Sequence, residues 1–260
     1  MIQHRPLGGE IKTLTIKKTP TGKWFATFSC EVESKPISNR EKAVGVDFGL
    51  IHLVALSDGT TYEAPRTYRH IEAQSKRAHR QLSRKKKGSR NRNKARIRMA
   101  RVEEKAKNRR RDFANKVARS IVNRYERIFV EDLRIDNMRR NRRLGKSIGD
   151  AGWGLLRSAL TYMAKLSEGV MVLVDPRYTS QLCSGCGECV PKTLDVRVHI
   201  CPYCGLVLDR DVNAARNILR KGIGVVRAES TPVETQPLPL GFSGWQVWSL
   251  NQEAQPFKAG

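Results

Sequence analysis

Four of the six cysteines form two C-x-x-C pairs, Cys183/Cys186 and Cys201/Cys204, with 14 residues between the pairs. Two such pairs close together bring four thiolates around one tetrahedral ion, which is the pattern of a zinc ribbon. In a reducing compartment this spacing argues for a metal and against disulfides. A glycine follows each second cysteine and lets the chain reverse direction there. The sequence therefore predicts a Zn²⁺ site that organises residues 178–208.

One histidine and two further cysteines lie near or outside this pattern. His199 stands two residues before Cys201 and could compete as a ligand, although the all-cysteine set is preferred. Cys30 and Cys189 are expected to be structural. A redox role is not expected for either pair, because a thioredoxin-type motif occurs singly at a strand–helix turn. Since a closed four-cysteine site leaves no open coordination position, its expected role is structural and not catalytic.

The chain is strongly basic, and the charge is concentrated in one stretch. Its 260 residues include 49 Lys and Arg against 25 Asp and Glu, a formal net charge of +24. Residues 76–111 hold 18 Lys or Arg and two acids. Like charges one turn apart destabilise a free helix, so an anionic partner such as nucleic acid is expected there. The alternative is a solvated basic face or a disordered tract. The candidate contact residues are Arg84, Lys85, Lys86, Lys87, Arg90, Arg109, Arg110 and Arg111.

Hydrophobic periodicity divides the chain into strands and helices. Alternation over residues 11–32 predicts a β-hairpin. Helical spacing in a charged background over 68–124 predicts a helical hairpin that breaks near Lys87–Arg90. Residues 134–152 are expected to form a polar basic loop. The predicted core strands are 43–46, 51–56, 60–63, 127–130 and 170–174, and the other helices are 153–166 and 211–219, the latter ending at Gly222.

Three carboxylates stand at the ends of these elements. Asp47 lies at the end of the first core strand, Glu131 follows the fourth, and Asp211 begins the last helix. An acid at such a position is often a turn residue or a helix cap. However, an antiparallel three-strand meander, a crossover and two parallel strands place the first and fourth strands side by side. Asp47 and Glu131 are therefore expected to be neighbours.

Neighbouring carboxylates repel each other, and divalent cations between them relieve that repulsion. Asp and Glu supply the hard oxygen ligands that Mg²⁺ or Mn²⁺ prefers. Two such ions ~4 Å apart can activate a water and stabilise the leaving oxygen of a phosphodiester. Arg210 is the basic residue nearest in sequence to this set and is a candidate for neutralising the scissile phosphate.

Four motifs, taken in order, resemble a known family. They resemble the TnpB (OrfB) transposon-associated proteins, the relatives of type V CRISPR effectors, and the resemblance covers about residues 11–221. The motifs are Val44–Leu50, Ile128–Leu133, Thr179–Gly187 and Leu208–Asn217.

The resemblance implies site residues, cofactors and partners. Asp47, Glu131 and Asp211 match the three acids of the family's RuvC-like nuclease, and the four cysteines match its zinc ribbon. In the family the metal-binding aspartate stands two residues before an asparagine, which favours Asp211 over Asp209. The resemblance further implies an RNA-guided DNA endonuclease, whose partners are DNA and a guide RNA transcribed from the transposon end.

The elements and the resemblance together predict an α/β fold. Its centre is a ribonuclease-H-like (RuvC) mixed sheet with an inserted basic helical hairpin and a zinc-ribbon insertion. Family members carry a longer N-terminal portion, so residues 1–40 are expected to be the remnant hairpin of a β-barrel. The expected order is then a nuclease core over 41–177 with the helical hairpin at 68–124, the zinc ribbon at 178–208, the last core helix at 209–222 and a flexible tail at 223–260.

Three classes of function are weighed on these features. The first is a transposon-associated, RNA-guided and metal-dependent DNA endonuclease, and the second is a truncated protein that binds DNA or RNA without cutting it. A zinc-ribbon protein of the transcription or translation machinery would explain the charge and the cysteines but not the placed carboxylates. No apolar stretch approaches the length of a membrane span, and the start of the chain lacks the apolar core of a signal peptide. A cytoplasmic protein without a membrane partner is therefore expected.

Overall fold

The computed structural model describes residues 6–65, 67–142, 144–193 and 195–230. The strands in these residues are β1 (Glu10–Lys18), β2 (Trp24–Glu31), β3 (Glu41–Phe48), β4 (His52–Leu56), β5 (Thr61–Glu63), β6 (Tyr125–Glu131), β7 (Val170–Val174), β8 (Val198–Ile200) and β9 (Val207–Asp209). The helices are α1 (Thr67–Ser83), α2 (Arg90–Arg124), α3 (Ile135–Arg139), α4 (Gly145–Ala151), α5 (Trp153–Leu166) and α6 (Arg210–Ser230). Within the described ranges, no helix is both long and apolar enough to cross a membrane.

A five-stranded mixed sheet forms the centre of the fold, in the order β5-β4-β3-β6-β7. Strand β4 pairs antiparallel with β3 and β5, whereas β6 pairs in parallel with β3 and β7. This is the predicted meander followed by a crossover and a parallel pair. The α/β fold class and the adjacency of the first and fourth core strands are confirmed.

Helices cover both faces of this sheet. Val44 and Val46 of β3 pack with Ile121 of α2 in the main core, which α5 completes. Successive side chains of a strand point to opposite faces, so the residues between these valines face the other side. On that second face, Phe129 of β6 packs with Ile218 of α6. The sheet is therefore sandwiched between α2 and α5 on one side and α6 on the other.

The predicted basic helical hairpin is formed by α1 and α2 and is inserted between β5 and β6. The break falls where expected: Gly88 has a positive φ of 81°, and α2 begins after Ser89. The Ser89 hydroxyl accepts a hydrogen bond from the backbone N–H of Arg92 at 3.1 Å and so caps the helix. The two helices are joined by a contact between His79 and Glu103 at 3.1 Å.

The expectation of a loop over 134–152 is wrong, because this segment contains α3 and α4. Ile135 and Ile148 are buried in the main core, and each anchors one of the two helices. The helices have only five and seven residues. Hydrophobic periodicity is read over windows of about 11–18 residues, so helices this short escape it.

The prediction that the last helix ends at Gly222 is also wrong, because α6 continues to Ser230. Gly222 is not among the described glycines with positive φ, so it lacks the left-handed conformation of a helix-ending glycine. A Cβ at this position would lie 2.1 Å from Cδ1 of Phe129, so the glycine allows α6 to pack closely on the sheet. Residues 223–230 belong to the helix, and the rest of the predicted tail, 231–260, lies outside the described residues.

Strands β1 and β2 form the predicted N-terminal hairpin as a separate two-stranded sheet. The hairpin contacts α2 through Lys23, whose Nζ lies 3.1 Å from the carboxylate of Glu104. Ile16 and Trp24 remain 66% and 65% exposed, so this hairpin buries little of its own apolar surface. Its assignment as part of a β-barrel stays a prediction.

Candidate active site and metal centre

Asp47 and Glu131 are neighbours on the α6 face of the sheet. Strands β3 and β6 run parallel, with Gly45 opposite Phe129. Both of these positions face α6: a Cβ on Gly45 would lie 2.0 Å from the carbonyl oxygen of Ala215, and Phe129 packs on the same helix. Asp47 and Glu131 stand two residues further along each strand and therefore point to the same side. The parallel register thus brings the first two predicted acids together.

Asp211 reaches this site from the first turn of α6. A Cβ on Gly49, just beyond β3, would lie 3.4 Å from Oδ2 of Asp211, so this carboxylate sits at the end of β3. The neighbouring Asp209 has a different role. Its Oδ1 accepts hydrogen bonds from the backbone N–H groups of Asp211 and Val212 at 2.8 and 3.1 Å, and so caps the helix. Of the two candidate aspartates, Asp211 is the one that joins the other acids.

Glu131 and Asp211 are close enough to Asp47 to disturb its ionisation. Burial raises the pKa of Asp47 well above its usual range, and the charges of Glu131 and Asp211 raise it further. The positive charge of Arg210 acts in the opposite direction. Burial, followed by the charge of Asp209, raises the pKa of Asp211. All three residues are half-buried in the structure.

Carboxylates from two strand ends and one helix turn can hold divalent cations. Their oxygens are the hard ligands that Mg²⁺ and Mn²⁺ prefer. Among the described residues, the four cysteines have ligand atoms that all lie within 4.8 Å of one another. The oxygens of the three acids do not meet this limit. A centre with two ions ~4 Å apart has its ligands spread around both ions. The role of Asp47, Glu131 and Asp211 as metal ligands stays a prediction.

The four predicted cysteines form one cluster beside the β8–β9 hairpin. The sulfur atoms of Cys183, Cys186, Cys201 and Cys204 all lie within 4.8 Å of one another. The distance is 3.6 Å between the sulfurs of Cys183 and Cys204, and also 3.6 Å between those of Cys186 and Cys201. The glycines after the second cysteines have positive φ angles of 86° and 73°, as a reversing chain requires. This group can hold one metal ion through four sulfur ligands.

The thiols of this cluster differ strongly in acidity. Burial alone would raise the pKa of Cys183, but the backbone N–H of Cys186 and the imidazole of His199 outweigh it and lower the pKa to about 5. One backbone N–H lowers the pKa of Cys186, but burial and the three other thiols raise it to about 12. A bound cation would favour the deprotonated form of each of these thiols. Buried His199 adjoins the cluster without belonging to it, and Cys30 and Cys189 lie outside it.

Two buried asparagines of α6 attach the first cysteine loop to the helix. Asn213 accepts a hydrogen bond from the N–H of Ser184 at 2.9 Å and donates one to the carbonyl of Leu182 at 2.8 Å. Asn217 donates to the carbonyls of Thr179 and Leu182 at 2.9 and 2.7 Å. The helix that carries Asp211 therefore also anchors the cysteine cluster.

Two residues around Glu131 were missed by the sequence analysis. The Thr179 hydroxyl is hydrogen-bonded to the Glu131 carboxylate. Burial raises the pKa of Glu131, whereas this hydroxyl and the charge of Lys221 lower it. The sequence held one signal for Thr179, which lies in the loop after β7. The carboxyl ends of neighbouring parallel strands meet at one edge of a sheet, so this loop is expected near Glu131 at the end of β6. Val174, the last residue of β7, pairs with Glu131, so the loop after β7 has to pass this acid.

The predicted nucleic-acid-binding residues lie in three separate places. Arg109–Arg111 are in the middle of α2, about 30 Å along the helix from its first residue. Among them Arg110 is partly buried and donates to the carbonyl of Gly149 at 3.0 Å, which gives it a structural contact. Arg210 begins α6; its Nη1 donates to the carbonyls of Thr193 and Val196 at 3.0 and 3.3 Å, and its charge acts to lower the pKa of Asp47. The residues at the turn between α1 and α2 are Arg84, Lys85, Lys86, Lys87 and Arg90. Nucleic-acid contact stays a prediction for all nine.

A mixed sheet with three acids at one edge, joined by one helix to a four-cysteine cluster, defines a RuvC-like α/β chain of the ribonuclease-H type. Comparison with known families agrees. Residues 27–142 match the OrfB_IS605 model, described as "Probable transposase". Residues 153–218 match the model described as "Cas12f1-like, TNB domain". The chain belongs to the TnpB (OrfB) family, as its motifs predicted.

Two curated relatives are similar to this chain over most of its length. "Putative RNA-guided DNA endonuclease" of Streptomyces pristinaespiralis is 40% identical over 220 residues, which cover 84% of this chain and 54% of the relative. "Putative RNA-guided DNA endonuclease InsQ" of Escherichia coli (strain K12) is 34% identical over 251 residues, covering 90% of this chain and 62% of the relative. The chain thus spans 54% and 62% of the length of these two relatives.

Solved structures share the fold. A chain of "Cryo-EM structure of the Cas12f1-sgRNA-target DNA complex" superposes with a TM-score of 0.51 at 15% identity, covering 80% of this chain and 56% of that one. A chain of "Cryo-EM structure of CRISPR-Cas12f Ternary Complex" gives a TM-score of 0.50 at 19% identity, covering 79% and 44%. At such identities the likeness concerns the fold alone.

Proposed function

We propose that this chain is the metal-dependent nuclease core of a transposon-associated, RNA-guided DNA endonuclease. The observation that supports this most is the meeting of Asp47, Glu131 and Asp211 on one partly exposed face of the sheet. A structural carboxylate is usually paired with a base or used as a cap, as Asp209 is. An open cluster of like charges with raised pKa values is instead typical of a functional site.

In this proposal the three acids hold two Mg²⁺ or Mn²⁺ ions. Ions bound there would activate a water for attack on phosphorus and stabilise the leaving oxygen. The chain's own contribution is to fix the ligand oxygens: Asp47 and Glu131 stand on adjacent strands, and Asp211 faces them from the helix. The acids must be ionised to bind metal, so their raised pKa values are expected to fall when the ions bind.

Basic residues supply the proposed contacts to the substrate. Arg210 is close enough to lower the pKa of both Asp47 and Asp211, so it is suited to offset the charge of the scissile phosphate. The basic turn between α1 and α2 and the Arg109–Arg111 segment of α2 would bind phosphates of the DNA or of the guide RNA. Such backbone contacts position a nucleic acid without reading its sequence.

The ion proposed for the cysteine cluster is Zn²⁺. Zinc–sulfur bonds of about 2.3 Å in a tetrahedron place the sulfurs roughly 3.8 Å apart. Two of the sulfur–sulfur distances in the cluster are 3.6 Å, which fits this geometry. Four sulfur ligands fill every position on the ion and leave none for a substrate. The proposed role of this ion is therefore to hold residues 178–208 against α6.

The RNA and DNA partners are proposed from the relatives. Both curated relatives are named as RNA-guided DNA endonucleases, and one solved neighbour is titled as a complex with sgRNA and target DNA. Because this chain spans 54% and 62% of the relatives, guided cleavage is a further step beyond metal-dependent cutting. Action on DNA in the cytoplasm is part of the same proposal.

The test compares Asp47→Asn with Asp112→Asn. Asp112 is an exposed acid of α2 that pairs with Lys116 at 2.8 Å, so its replacement removes the same charge away from the site. Each protein is purified with its bound RNA and given DNA that matches this RNA, with and without Mg²⁺. Wild type and Asp112→Asn are expected to cut, whereas Asp47→Asn is expected to bind DNA without cutting it.

Two results would overturn this proposal. Cutting by Asp47→Asn at the wild-type rate would exclude the three-acid mechanism. Binding of DNA or RNA by the wild type, with no product at any Mg²⁺ or Mn²⁺ concentration, would instead support the non-cleaving binding protein.

A further inference from the structure

The loop after β7 places the Thr179 hydroxyl directly against the Glu131 carboxylate. Oγ1 of Thr179 is hydrogen-bonded to Oε1 of Glu131. Oγ1 also lies 2.9 Å from the carbonyl oxygen of Pro176. Both neighbours are acceptors, whereas the hydroxyl has a single proton to donate. An ionised carboxylate is the stronger acceptor, so the proton is donated to Glu131 when Glu131 is charged.

Thr179 is itself held firmly in place. The residue is 2% exposed, and its carbonyl oxygen accepts a hydrogen bond from Asn217 at 2.9 Å. Lys221, one turn further along α6, donates to the carbonyl of Asp175 at 3.1 Å and also to that of Arg177. Both carbonyls belong to the loop that leads to Thr179. Two side chains of α6 therefore determine where the hydroxyl lies.

The same helix connects Thr179 to the cysteine cluster. Asn217 and Asn213 both donate to the carbonyl of Leu182, at 2.7 and 2.8 Å. Asn213 also accepts from the N–H of Ser184 at 2.9 Å. The residues on either side of the first metal-ligating cysteine are thus attached to α6. The segment from Thr179 to Ser184 joins the cysteine cluster to the acidic site.

We propose that Thr179 is a positioning residue, which fixes the Glu131 carboxylate for cation binding and links it to the order of the cysteine cluster. This inference rests on the nuclease function proposed above. A glutamate side chain has several rotatable bonds and two chemically equivalent oxygens. The bond to Oε1 restricts rotation of the carboxylate and selects the oxygen that is presented to an ion. Partners that orient a metal ligand in this way commonly affect metal affinity strongly.

Binding of Mn²⁺ to the zinc-loaded protein, measured by calorimetry or electron paramagnetic resonance, tests this inference without DNA cleavage. Thr179→Val removes the hydroxyl and keeps the branched shape, whereas Thr179→Ser keeps the hydroxyl. Thr161→Val is the matched control, because Thr161 is an exposed threonine of α5 whose hydroxyl donates to its own helix at Arg157, at 2.9 Å. Glu131→Gln identifies the Mn²⁺ binding that depends on the acidic site.

Thr179→Val is expected to weaken the Glu131-dependent Mn²⁺ binding by about 10- to 100-fold. Thr179→Ser and Thr161→Val are expected to bind as the wild type does, and all variants are expected to retain the wild-type zinc content and melting temperature. If Thr179→Val loses zinc, Thr179→Ala, which deletes the hydroxyl without adding a second methyl group, takes its place in the comparison.

The outcomes separate this inference from the function on which it rests. Wild-type Mn²⁺ affinity in the variant without the hydroxyl, or equal weakening in Thr179→Ser, overturns the positioning role. A wild type without any Glu131-dependent Mn²⁺ binding overturns the proposed metal site itself. Normal Mn²⁺ binding with no DNA cleavage overturns the proposed activity and leaves the role of Thr179 standing.

Discussion

Replacing Gly222 by alanine measures how closely α6 must pack against the sheet. Helix propensity alone would make this change stabilising by up to ~1 kcal/mol. In the structure, however, the added Cβ would lie 2.1, 2.2 and 2.6 Å from three ring atoms of Phe129. An ordinary carbon–carbon contact is about 3.5–4.0 Å, so the helix or the ring has to move by more than about 1 Å. Phe129 is 1% exposed, so either movement disturbs the core.

The expected result of Gly222→Ala is a net loss of stability. Overpacking a core costs about 1–3 kcal/mol, of which the gain in propensity offsets ~1 kcal/mol. The net loss is therefore up to about 2 kcal/mol, equivalent to a melting temperature lower by up to about 8 °C for a chain of this size. Thermal unfolding followed by circular dichroism measures the difference.

Gly224→Ala is the matched control for this change. Gly224 lies two residues further along the same helix, and a Cβ there would have nothing within 4 Å. Propensity acts alone at this position, so the variant is expected to be more stable than the wild type by about 0.5–1 kcal/mol. If both alanine variants raise the melting temperature to the same extent, the packing argument for Gly222 is refuted.

Two further predictions concern charge. Burial and the charges of Glu131 and Asp211 raise the pKa of Asp47 in the folded state. Without Mg²⁺, the folded protein is therefore destabilised as the pH rises from about 4 through this raised pKa, because Asp47 has to ionise in an unfavourable place. Asp47→Asn is therefore expected to raise the melting temperature at about pH 8 and not at about pH 4, and equal effects at both pH values would contradict this. Lys86→Ala, in the turn between α1 and α2, is expected to reduce the slope of log binding constant against log salt concentration by ~1, whereas Lys42→Ala, at the opposite end of β3 from the acids, leaves it unchanged. Equal slopes for the two lysine variants in filter binding would show that the turn does not contact phosphates.

The sheet order and the meeting of Asp47 with Glu131 could be predicted because both depend on local patterns and a general rule. Apolar runs identify the strands, and the handedness and adjacency of parallel connections limit how they can be arranged. The four-cysteine cluster could also be predicted, because the spacing of the two pairs brings the sulfurs together. In these cases the information needed lies within short stretches of chain.

Other features depend on contacts between distant residues and could not be read in this way. Gly222 has the sequence appearance of a helix end, and only the ring of Phe129, far away in the chain, shows that it permits close packing instead. The hydroxyl of Thr179 is hydrogen-bonded to Glu131, which lies 48 residues earlier in the chain, and no local pattern predicts this contact. The resemblance favoured Asp211 over Asp209, but the capping role of Asp209 could be recognised only from its hydrogen bonds in the structure.

The length of α2 has a mechanical consequence. Its 35 residues extend about 52 Å, with Ala114–Val122 built into the main core and the N-terminal half lying against α1. Arg90, at the outer end, lies about 36 Å from Ala114, where the helix enters the main core. A force on that end would act on the core through a long lever. The contacts of the outer half with His79 of α1 and with Lys23 of the hairpin oppose such a movement.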